Sequence, residues 1–199
     1  MSRTIRYRPA AFSLRLFSVS RLPNLISLLR LALAPVFAWL VVKQRFSSAM
    51  LVGIFAGVTD WLDGYAARKL KVRTETGTYL DPAADKTLLV VAFLSLGWAR
   101  QIPAWLVALV MGRDLVIVVG VVLLWKFRGR TDFPPLLSGK VSTFFQIVTV
   151  VLVLLSAVFP GRLLFVLRFL GFVCTAFFTA LSGINYIRRG IEMTRRQPA

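Results

Sequence analysis

Six apolar stretches, separated by short polar connections, follow one another along the chain. They cover residues 25–42, 47–66, 81–98, 103–125, 140–159 and 163–187. An α-helix needs about 20 predominantly apolar residues to cross the hydrocarbon core of a bilayer, and each stretch is near that length. The pattern therefore predicts an all-α integral membrane bundle of six transmembrane helices.

The composition is typical of a membrane protein, and the distribution of charge indicates which class of partner the chain binds. Hydrophobic residues make up 57% of the chain and the mean hydropathy is +0.74, values typical of a membrane protein. The net charge is +17, but the basic residues form no continuous patch, so anionic lipid is the predicted partner and nucleic acid is not. Cys174 is the single cysteine, so no disulfide framework is predicted. The lack of histidine excludes zinc hydrolase chemistry and histidine-based acid/base catalysis.

The N-terminal segment 1–22 contains five arginines, apolar residues between them and no acid. It is predicted to form an amphipathic helix on the membrane surface, because it lacks the apolar core and cleavage site of a secretory signal. A mitochondrial transit peptide is the alternative, disfavoured because the segment runs directly into Asn24. The predicted organisation is a basic interfacial segment 1–22, a six-helix domain 23–190 and a basic cytoplasmic tail 191–199.

The distribution of lysine and arginine predicts the orientation of the bundle. These residues are concentrated at both termini and in the connections near residues 70 and 130, whereas the other three connections hold few. Positively charged loops remain on the cytoplasmic side. Both termini are therefore predicted to be cytoplasmic, in a bacterial inner membrane or, alternatively, a mitochondrial inner membrane.

Half of the eight acidic residues lie close together, in two pairs at helical spacing. Asp60 and Asp63 are three residues apart, and Asp81 and Asp85 are four apart, so each pair shares one face of a helix. Asp81 is predicted to cap the second helix, with the following proline in its first turn. A turn containing Gly77 is predicted to join the two helices as an antiparallel hairpin.

Such a hairpin brings four carboxylates together, which is tolerable in a buried site only when cations neutralise them. Carboxylate oxygens select a hard ion, so two Mg²⁺ or Mn²⁺ ions are predicted, about 4 Å apart and able to clamp a pyrophosphate. Gly64 and Ala67 leave space for a ligand to approach the helix backbone, and Arg68 is available to contact a phosphate.

The complete pattern, D-x2-D-G-x2-A-R-x8-G-x3-D-x3-D, resembles the signature of the CDP-alcohol phosphatidyltransferases. The matching residues are Asp60, Asp63, Gly64, Ala67, Arg68, Gly77, Asp81 and Asp85. The resemblance implies transfer of a phosphatidyl group from CDP-diacylglycerol to an alcohol with release of CMP. It implies that the four aspartates hold two metal ions, that Asp85 is also the general base, and that the protein is a homodimer.

By the same resemblance, residues outside the motif are assigned to the substrates. Asn24, Gly64, Ala67, Arg68 and Gly77 would help bind the CDP-linked substrate, although Asn24 is equally able to cap a helix. Arg113 and Lys140 would bind the acceptor. The alternatives are that Arg113 pairs with Asp114 and that Lys140 extends to the membrane surface.

Further charges lie within the apolar stretches, where charged side chains usually mark function. Arg30 and Lys86 are candidates of this kind, and Lys86 either balances the carboxylates or contacts substrate. Carboxylates between membrane helices also occur in cation-coupled transporters. That alternative is disfavoured because the acids cluster near one end of two helices and the last two stretches contain none in their middle.

The acceptor alcohol is inferred from a local difference between this sequence and the family pattern. The flanking residues resemble phosphatidylglycerophosphate synthases and the single-motif cardiolipin synthases. Enzymes that use glycerol 3-phosphate usually have Arg-Glu and a second arginine eight residues after the first, whereas this chain has Arg113-Asp114 and Val121. The pattern favours phosphatidylglycerol as the acceptor, with glycerol 3-phosphate as the alternative.

Overall fold

The computed structural model describes the backbone of residues 22–70, 75–128 and 136–195, and the side chains of residues 28–59, 86–123, 126 and 136–193. Within these ranges the backbone forms six α-helices. They are α1 (Leu22–Val42), α2 (Phe46–Leu70), α3 (Glu75–Trp98), α4 (Ala104–Arg128), α5 (Leu137–Val158) and α6 (Arg162–Arg195). The prediction of an all-α chain is confirmed. The predicted interfacial helix lies outside the described residues except for Leu22.

The structure corrects the predicted start of the third helix. Helix α3 begins at Glu75, so Asp81 and Pro82 lie inside it, and the prediction that they form its N-terminal cap is wrong. Gly77 also lies inside α3, not in the preceding turn. An interior proline removes one helical hydrogen bond and crowds the carbonyl four residues earlier, at a cost of about 3 kcal/mol, and α3 extends from Glu75 past Pro82 in spite of this cost.

Two of the short connections reverse the chain in the same way. At the end of α1, the Gln44 and Arg45 amides donate to the carbonyls of Val41 and Leu40, both at 2.9 Å. The end of α3 repeats this pattern around Arg100, and Gln44 and Arg100 have φ angles of 57° and 56°. These bonds satisfy the last helical carbonyls, so each helix stops abruptly and the next runs back beside it.

The apolar core lies at the end of the bundle away from the aspartate motif. It combines the ends of α1, α3 and α5 with the starts of α2, α4 and α6, and its largest fully buried side chains include Phe37, Val41, Phe93, Leu96 and Leu106. Burying an aliphatic or aromatic side chain of this size contributes about 1.5–3 kcal/mol in water. The well-packed core at the other end of the bundle therefore stabilises the positions of α2 and α3, which contain the motif.

Helices α5 and α6 are joined by buried hydroxyl groups. Ser142 and Thr179 lie 3.0 Å apart, and Thr149 and Thr175 lie 2.8 Å apart. The amide nitrogen of Gln146 in α5 donates to the Thr179 hydroxyl in α6 at 3.4 Å. Lipid tails provide no hydrophobic drive between helices, so such interhelical bonds and the small residues around them hold a membrane helix pair together.

Within the part of the chain that the structure describes, three helical regions are long and apolar enough to cross a bilayer: Ala104–Leu123, Leu137–Val158 and Arg162–Met193. Three shorter apolar regions, Leu28–Val42, Phe46–Thr59 and Lys86–Trp98, lie in α1 to α3, whose described side chains cover only part of each helix. The crossing of the membrane by all six helices stays a prediction.

Helices α3 and α4 approach each other closely at one position, where we expect a substitution to destabilise the fold. A methyl group at Gly97 would lie 2.8 Å from Val107 Cγ2, and β-branched valine has little freedom to move. We expect Gly97→Ala to lower the unfolding free energy by about 1–3 kcal/mol. Gly120→Ala is the matched control, because a methyl group at Gly120 meets no atom within 4 Å. Thermal unfolding in detergent should show a lower midpoint for Gly97→Ala than for Gly120→Ala, and equal midpoints would contradict the close approach.

Candidate functional site

The motif residues lie at the end of α2 and the start of α3, which are adjacent in the sequence. Asp60, Asp63, Gly64, Ala67 and Arg68 occupy the last three turns of α2, while Gly77, Asp81 and Asp85 occupy the first three turns of α3. Only residues 71–74 separate these helices in the sequence, so the two pairs of aspartates lie at adjoining helix ends, and their arrangement in an antiparallel hairpin stays a prediction. Their side chains lie outside the described residues, and the convergence of the carboxylates stays a prediction.

Two further predictions concern this end of the bundle. Asn24 is the third residue of α1, inside the helix and not at its cap, and its side chain is also outside the described residues. Among the described side chains, no group of three His, Cys, Asp or Glu residues is placed to hold a metal ion. The four motif aspartates, whose side chains lie outside the described residues, remain the predicted metal ligands.

Asp114 connects two cationic side chains from different helices. Its carboxylate oxygens both lie 2.7 Å from Lys86 Nζ, and Lys86 directly follows Asp85 in α3. The Arg113 guanidinium donates to Asp114 Oδ1 through Nη1 at 2.9 Å. The pairing of Arg113 with Asp114, one of the two interpretations of this residue, is confirmed. Lys86 neutralises a carboxylate, but that carboxylate is Asp114, which lies outside the motif.

Helix α6 holds the Arg113 guanidinium on its other side. The Ser182 hydroxyl accepts from Arg113 Nε at 3.1 Å and from Nη2 at 2.8 Å. The guanidinium carbon lies 5.4 Å from the centroid of the Tyr186 ring, a distance suitable for a cation–π contact. Three of the five guanidinium N–H groups are thereby engaged, and the orientation of Arg113 is determined by α4 and α6 together. We name Lys86, Arg113, Asp114, Ser182 and Tyr186 the Asp114 cluster.

The start of α5 packs closely against the Asp114 cluster at Gly139. A methyl group at Gly139 would lie 2.9 Å from the Tyr186 hydroxyl and 3.0 Å from Arg113 Nη2. The Leu136 amide donates to that same hydroxyl at 3.2 Å. Lys140, the next residue, is exposed. The structure thus places Lys140 beside a residue that contacts Arg113, while its side chain is directed to the surface.

A cavity of about 750 Å³ lies between α1, α2, α3 and α5. Its walls are almost entirely aliphatic and aromatic, and its cationic lining residues are Arg30 and Lys86. Arg30 is only 3% exposed. Along α5 the lining runs from Thr143 to Leu154, which corresponds to about 16 Å of helix. The cavity is therefore a long apolar space with positive charge at one end.

The charged end of the cavity is the end that carries the motif. Gly57 lines the cavity one helical turn before Asp60, and Lys86 lines it one residue after Asp85. Lys86 also belongs to the Asp114 cluster, and the Thr143 hydroxyl donates at 3.1 Å to the carbonyl of Gly139, which contacts Arg113. The apolar cavity, the motif helices and the Asp114 cluster are consequently neighbours.

Sequence reasoning missed Ser182, Tyr186 and Gly139 as neighbours of Arg113. A signal was present, because α6 carries polar side chains at Thr175, Thr179, Ser182 and Tyr186, a spacing of four, three and four residues that marks one helix face. Within an apolar stretch these small hydroxyl residues look like ordinary membrane-helix positions. Only the packing of α4 and α5 against α6 shows that the stripe ends at a buried arginine.

A sequence profile and individual relatives both match this chain and indicate the same family of proteins. The sequence profile described as CDP-alcohol phosphatidyltransferase matches residues 20–181. The chain is 34% identical over 186 residues to the CDP-diacylglycerol–glycerol-3-phosphate 3-phosphatidyltransferase of Bacillus subtilis, covering 86% of this chain and 95% of that protein.

Two eukaryotic relatives are longer than this chain. The rat (Rattus norvegicus) cardiolipin synthase (CMP-forming) is 33% identical over 188 residues, which cover 85% of this chain and 61% of the relative. A chloroplastic CDP-diacylglycerol–glycerol-3-phosphate 3-phosphatidyltransferase of rice (Oryza sativa) is 36% identical over 155 residues, covering 69% of this chain and 47% of the relative. The chain thus spans about half to three fifths of these two proteins.

Proposed function

Because the chain belongs to the CDP-alcohol phosphatidyltransferase family, we propose that it transfers the phosphatidyl group of CDP-diacylglycerol to a glycerol-type alcohol and releases CMP. The observation that carries this proposal is the long apolar cavity whose cationic end adjoins the motif helices. Such a cavity suits diacylglycerol tails with their diphosphate at the charged end. The alternative function, a cation-coupled transporter, is not supported by the relatives described above.

In this proposal the motif aspartates bind metal and the glycines admit the nucleotide. Asp60, Asp63, Asp81 and Asp85 would hold two Mg²⁺ or Mn²⁺ ions, since an all-carboxylate donor set suits these hard cations. The metal ions would neutralise negative charge on the pyrophosphate. Asn24, Gly64, Ala67, Arg68 and Gly77 would surround the CDP moiety.

The chemical step requires that the acceptor hydroxyl lose its proton as it attacks the phosphorus. Asp85 is proposed as the base, since it is the last motif carboxylate and precedes Lys86 at the charged end of the cavity. Lys86, the residue that follows the proposed base, lines the cavity and also pairs with Asp114 in the Asp114 cluster. Arg113 and Lys140 are proposed to bind the acceptor.

Phosphatidylglycerol is the acceptor that we propose, which would make the activity that of a CMP-forming cardiolipin synthase. Arg113 shares its charge with Asp114, and residue 121 is valine, so the described acceptor residues carry less positive charge than a phosphate dianion requires. Glycerol 3-phosphate is the second candidate, and the Bacillus subtilis relative, whose name specifies that acceptor, supports it.

The test is an assay of CMP release by purified protein in detergent with Mn²⁺ or Mg²⁺. CDP-diacylglycerol is supplied with phosphatidylglycerol in one arm and with glycerol 3-phosphate in another. CMP formed with phosphatidylglycerol alone would support the proposal, whereas CMP formed with glycerol 3-phosphate alone would assign the second candidate. Absence of CMP in both arms would overturn phosphatidyl transfer as the function.

Metal binding has a separate test that does not depend on turnover. We expect wild-type protein to bind Mn²⁺, detected by electron paramagnetic resonance, and Asp60→Asn and Asp81→Asn each to weaken that binding at least about tenfold. Glu192→Gln, at an exposed position in the last turns of α6, serves as the carboxylate control. Equal Mn²⁺ binding by all four proteins would remove the aspartates from the metal site.

The topology is also proposed, with six membrane crossings, both termini and the motif in the cytoplasm, and a homodimeric assembly by family resemblance. A single native cysteine makes the topology testable, because Cys174→Ser leaves a background for introduced cysteines. A cysteine at Gln101 should react with an impermeant reagent only from the outer face, and one at Lys126 only after the membrane is opened. The reverse pattern would invert the orientation.

A further inference from the structure

Helix α6 contains no residue of the aspartate motif and neither of the two proposed acceptor cations, yet it contacts both helices that carry those cations. Arg113 belongs to α4, and Lys140 lies in the first turns of α5. Ser182 and Tyr186 are four residues apart on one face of α6, and both are buried. These two uncharged side chains make the contacts from α6 to Arg113 and to the start of α5.

The Ser182 hydroxyl fixes the orientation of the Arg113 guanidinium. It accepts from Nε at 3.1 Å and from Nη2 at 2.8 Å, so the guanidinium cannot rotate without losing at least one of these bonds. The Arg113 side chain is only 7% exposed, and a buried donor that loses its partner is costly. Two N–H groups, one on Nη1 and one on Nη2, therefore keep a fixed direction in which they can bind an anion.

Tyr186 connects the same guanidinium to the start of α5. The guanidinium carbon of Arg113 lies 5.4 Å from the centroid of the Tyr186 ring. The Tyr186 hydroxyl accepts from the amide of Leu136, the residue before the first residue of α5, at 3.2 Å. Gly139 allows this approach, because a methyl group there would lie 2.9 Å from the hydroxyl. One side chain thus contacts Arg113 and holds the turn that precedes Lys140.

We propose that Ser182 and Tyr186 are positioning residues for the acceptor, which hold Arg113 and the start of α5 so that Arg113 and Lys140 bind one phosphate together. This inference rests on the proposed phosphatidyl transfer, in which these two cations bind the acceptor. Neither positioning residue takes part in the chemical step. A displacement of about 1 Å can lower a rate about 100-fold, so residues that only orient a binding group still affect the reaction.

Thr179 provides a matched control on the same face of α6. It lies one turn before Ser182, is also fully buried, and its hydroxyl is 3.0 Å from that of Ser142 in α5. Thr179 and Ser182 therefore each link α6 to a neighbouring helix through a buried hydroxyl, but Ser182 is the one bonded to Arg113. Thr179→Val removes a hydroxyl without changing the contacts of Arg113, whereas Ser182→Ala releases the guanidinium.

The first test measures binding without turnover. Glycerol 3-phosphate and glycerophosphoglycerol, the deacylated head group of phosphatidylglycerol, are titrated into the purified full chain by calorimetry. We expect Ser182→Ala to weaken the probe that wild-type protein binds more tightly by at least about tenfold, as is typical for loss of a bond to a charged group. Tyr186→Phe keeps the ring and loses the bond to the Leu136 amide, so a loss of about three- to tenfold is expected. Thr179→Val should change the affinity less than about threefold.

The second test separates positioning from damage to the fold. CMP release is measured with CDP-diacylglycerol, Mn²⁺ and the acceptor that wild-type protein uses. A misplaced Arg113 raises KM for the acceptor and leaves KM for CDP-diacylglycerol and Mn²⁺ binding within about twofold of wild type. Partial unfolding would instead lower kcat with both KM values unchanged, because it reduces the amount of active protein. We expect the first pattern for Ser182→Ala and Tyr186→Phe.

The outcomes separate this inference from the proposed function. Equal losses of affinity in Ser182→Ala and Thr179→Val, a lower kcat without a higher acceptor KM, or binding of neither probe by wild-type protein would each overturn the positioning role. If Ser182→Ala does not fold, Tyr186→Phe decides by the same criteria. CMP release by wild-type protein decides phosphatidyl transfer independently, so a protein that releases CMP while both variants bind the probes normally retains the function and loses the inference.

Discussion

Asp85→Asn is expected to lower the rate of CMP release at least about 1,000-fold. Loss of a general base alone typically costs 10²- to 10⁴-fold, and Asp85 is proposed to bind metal as well. Asparagine has nearly the same shape as aspartate, so the substitution removes the charge and the proton acceptor with little change in volume. The measurement is CMP released from CDP-diacylglycerol with each acceptor at saturating Mn²⁺.

The control for this substitution is Glu192→Gln, which makes the same chemical change at an exposed residue near the end of α6. It should leave the rate within about twofold of wild type, as expected for an exposed surface substitution. Circular dichroism of both variants establishes that the helices remain. A folded Asp85→Asn protein that keeps more than a tenth of the wild-type rate would exclude Asp85 as the base.

The pattern of apolar residues predicted the helices well because each helix lies largely in an apolar environment. The second and sixth apolar stretches end before their helices do, since α2 continues through Arg68 to Leu70 and α6 continues to Arg195. Both extensions are polar or basic sequences that have no hydrophobic signal. Their helical state is a continuation of a helix already nucleated by the apolar part, and adding residues costs far less than starting a helix.

The sequence allows a candidate site to be proposed where the chemistry is local in sequence, but it does not identify contacts that depend on packing. Asp60, Asp63, Asp81 and Asp85 stand at fixed spacings that indicate shared helix faces. Lys86 and Asp114 are 28 residues apart, and nothing in the sequence identifies them as a pair. Their contact arises because α3 and α4 pack together, which is a property of the whole bundle.

The apolar cavity also depends on packing, but two glycines form part of its wall. Gly53 and Gly57 lie one turn apart on the face of α2 that lines the cavity. In a helix interior glycine costs about 0.5–1 kcal/mol relative to alanine, so its presence on this face is unfavourable for α2 itself. A side chain at these positions would occupy the space that we assign to the diacylglycerol tails.

Gly57→Phe is therefore expected to lower kcat/KM for long-chain CDP-diacylglycerol about 100-fold. Gly57 lines the cavity, and a Cβ at this position meets no atom within 4 Å, so the start of the new side chain is accommodated without a clash. A lipid tail that cannot enter the cavity displaces the reacting phosphorus from its position, and a displacement of about 1 Å can lower a rate about 100-fold. The measurement is CMP release across a range of CDP-diacylglycerol concentrations.

Gly120→Phe is the matched control, because Gly120 is also free of neighbours within 4 Å but does not line the cavity. It should change kcat/KM less than about threefold. Mn²⁺ binding should be unchanged in both variants, since neither position belongs to the proposed metal site. If Gly57→Phe retains wild-type kcat/KM while its fold and Mn²⁺ binding are intact, the diacylglycerol tails must lie elsewhere, and the cavity would lose its place in the proposed reaction.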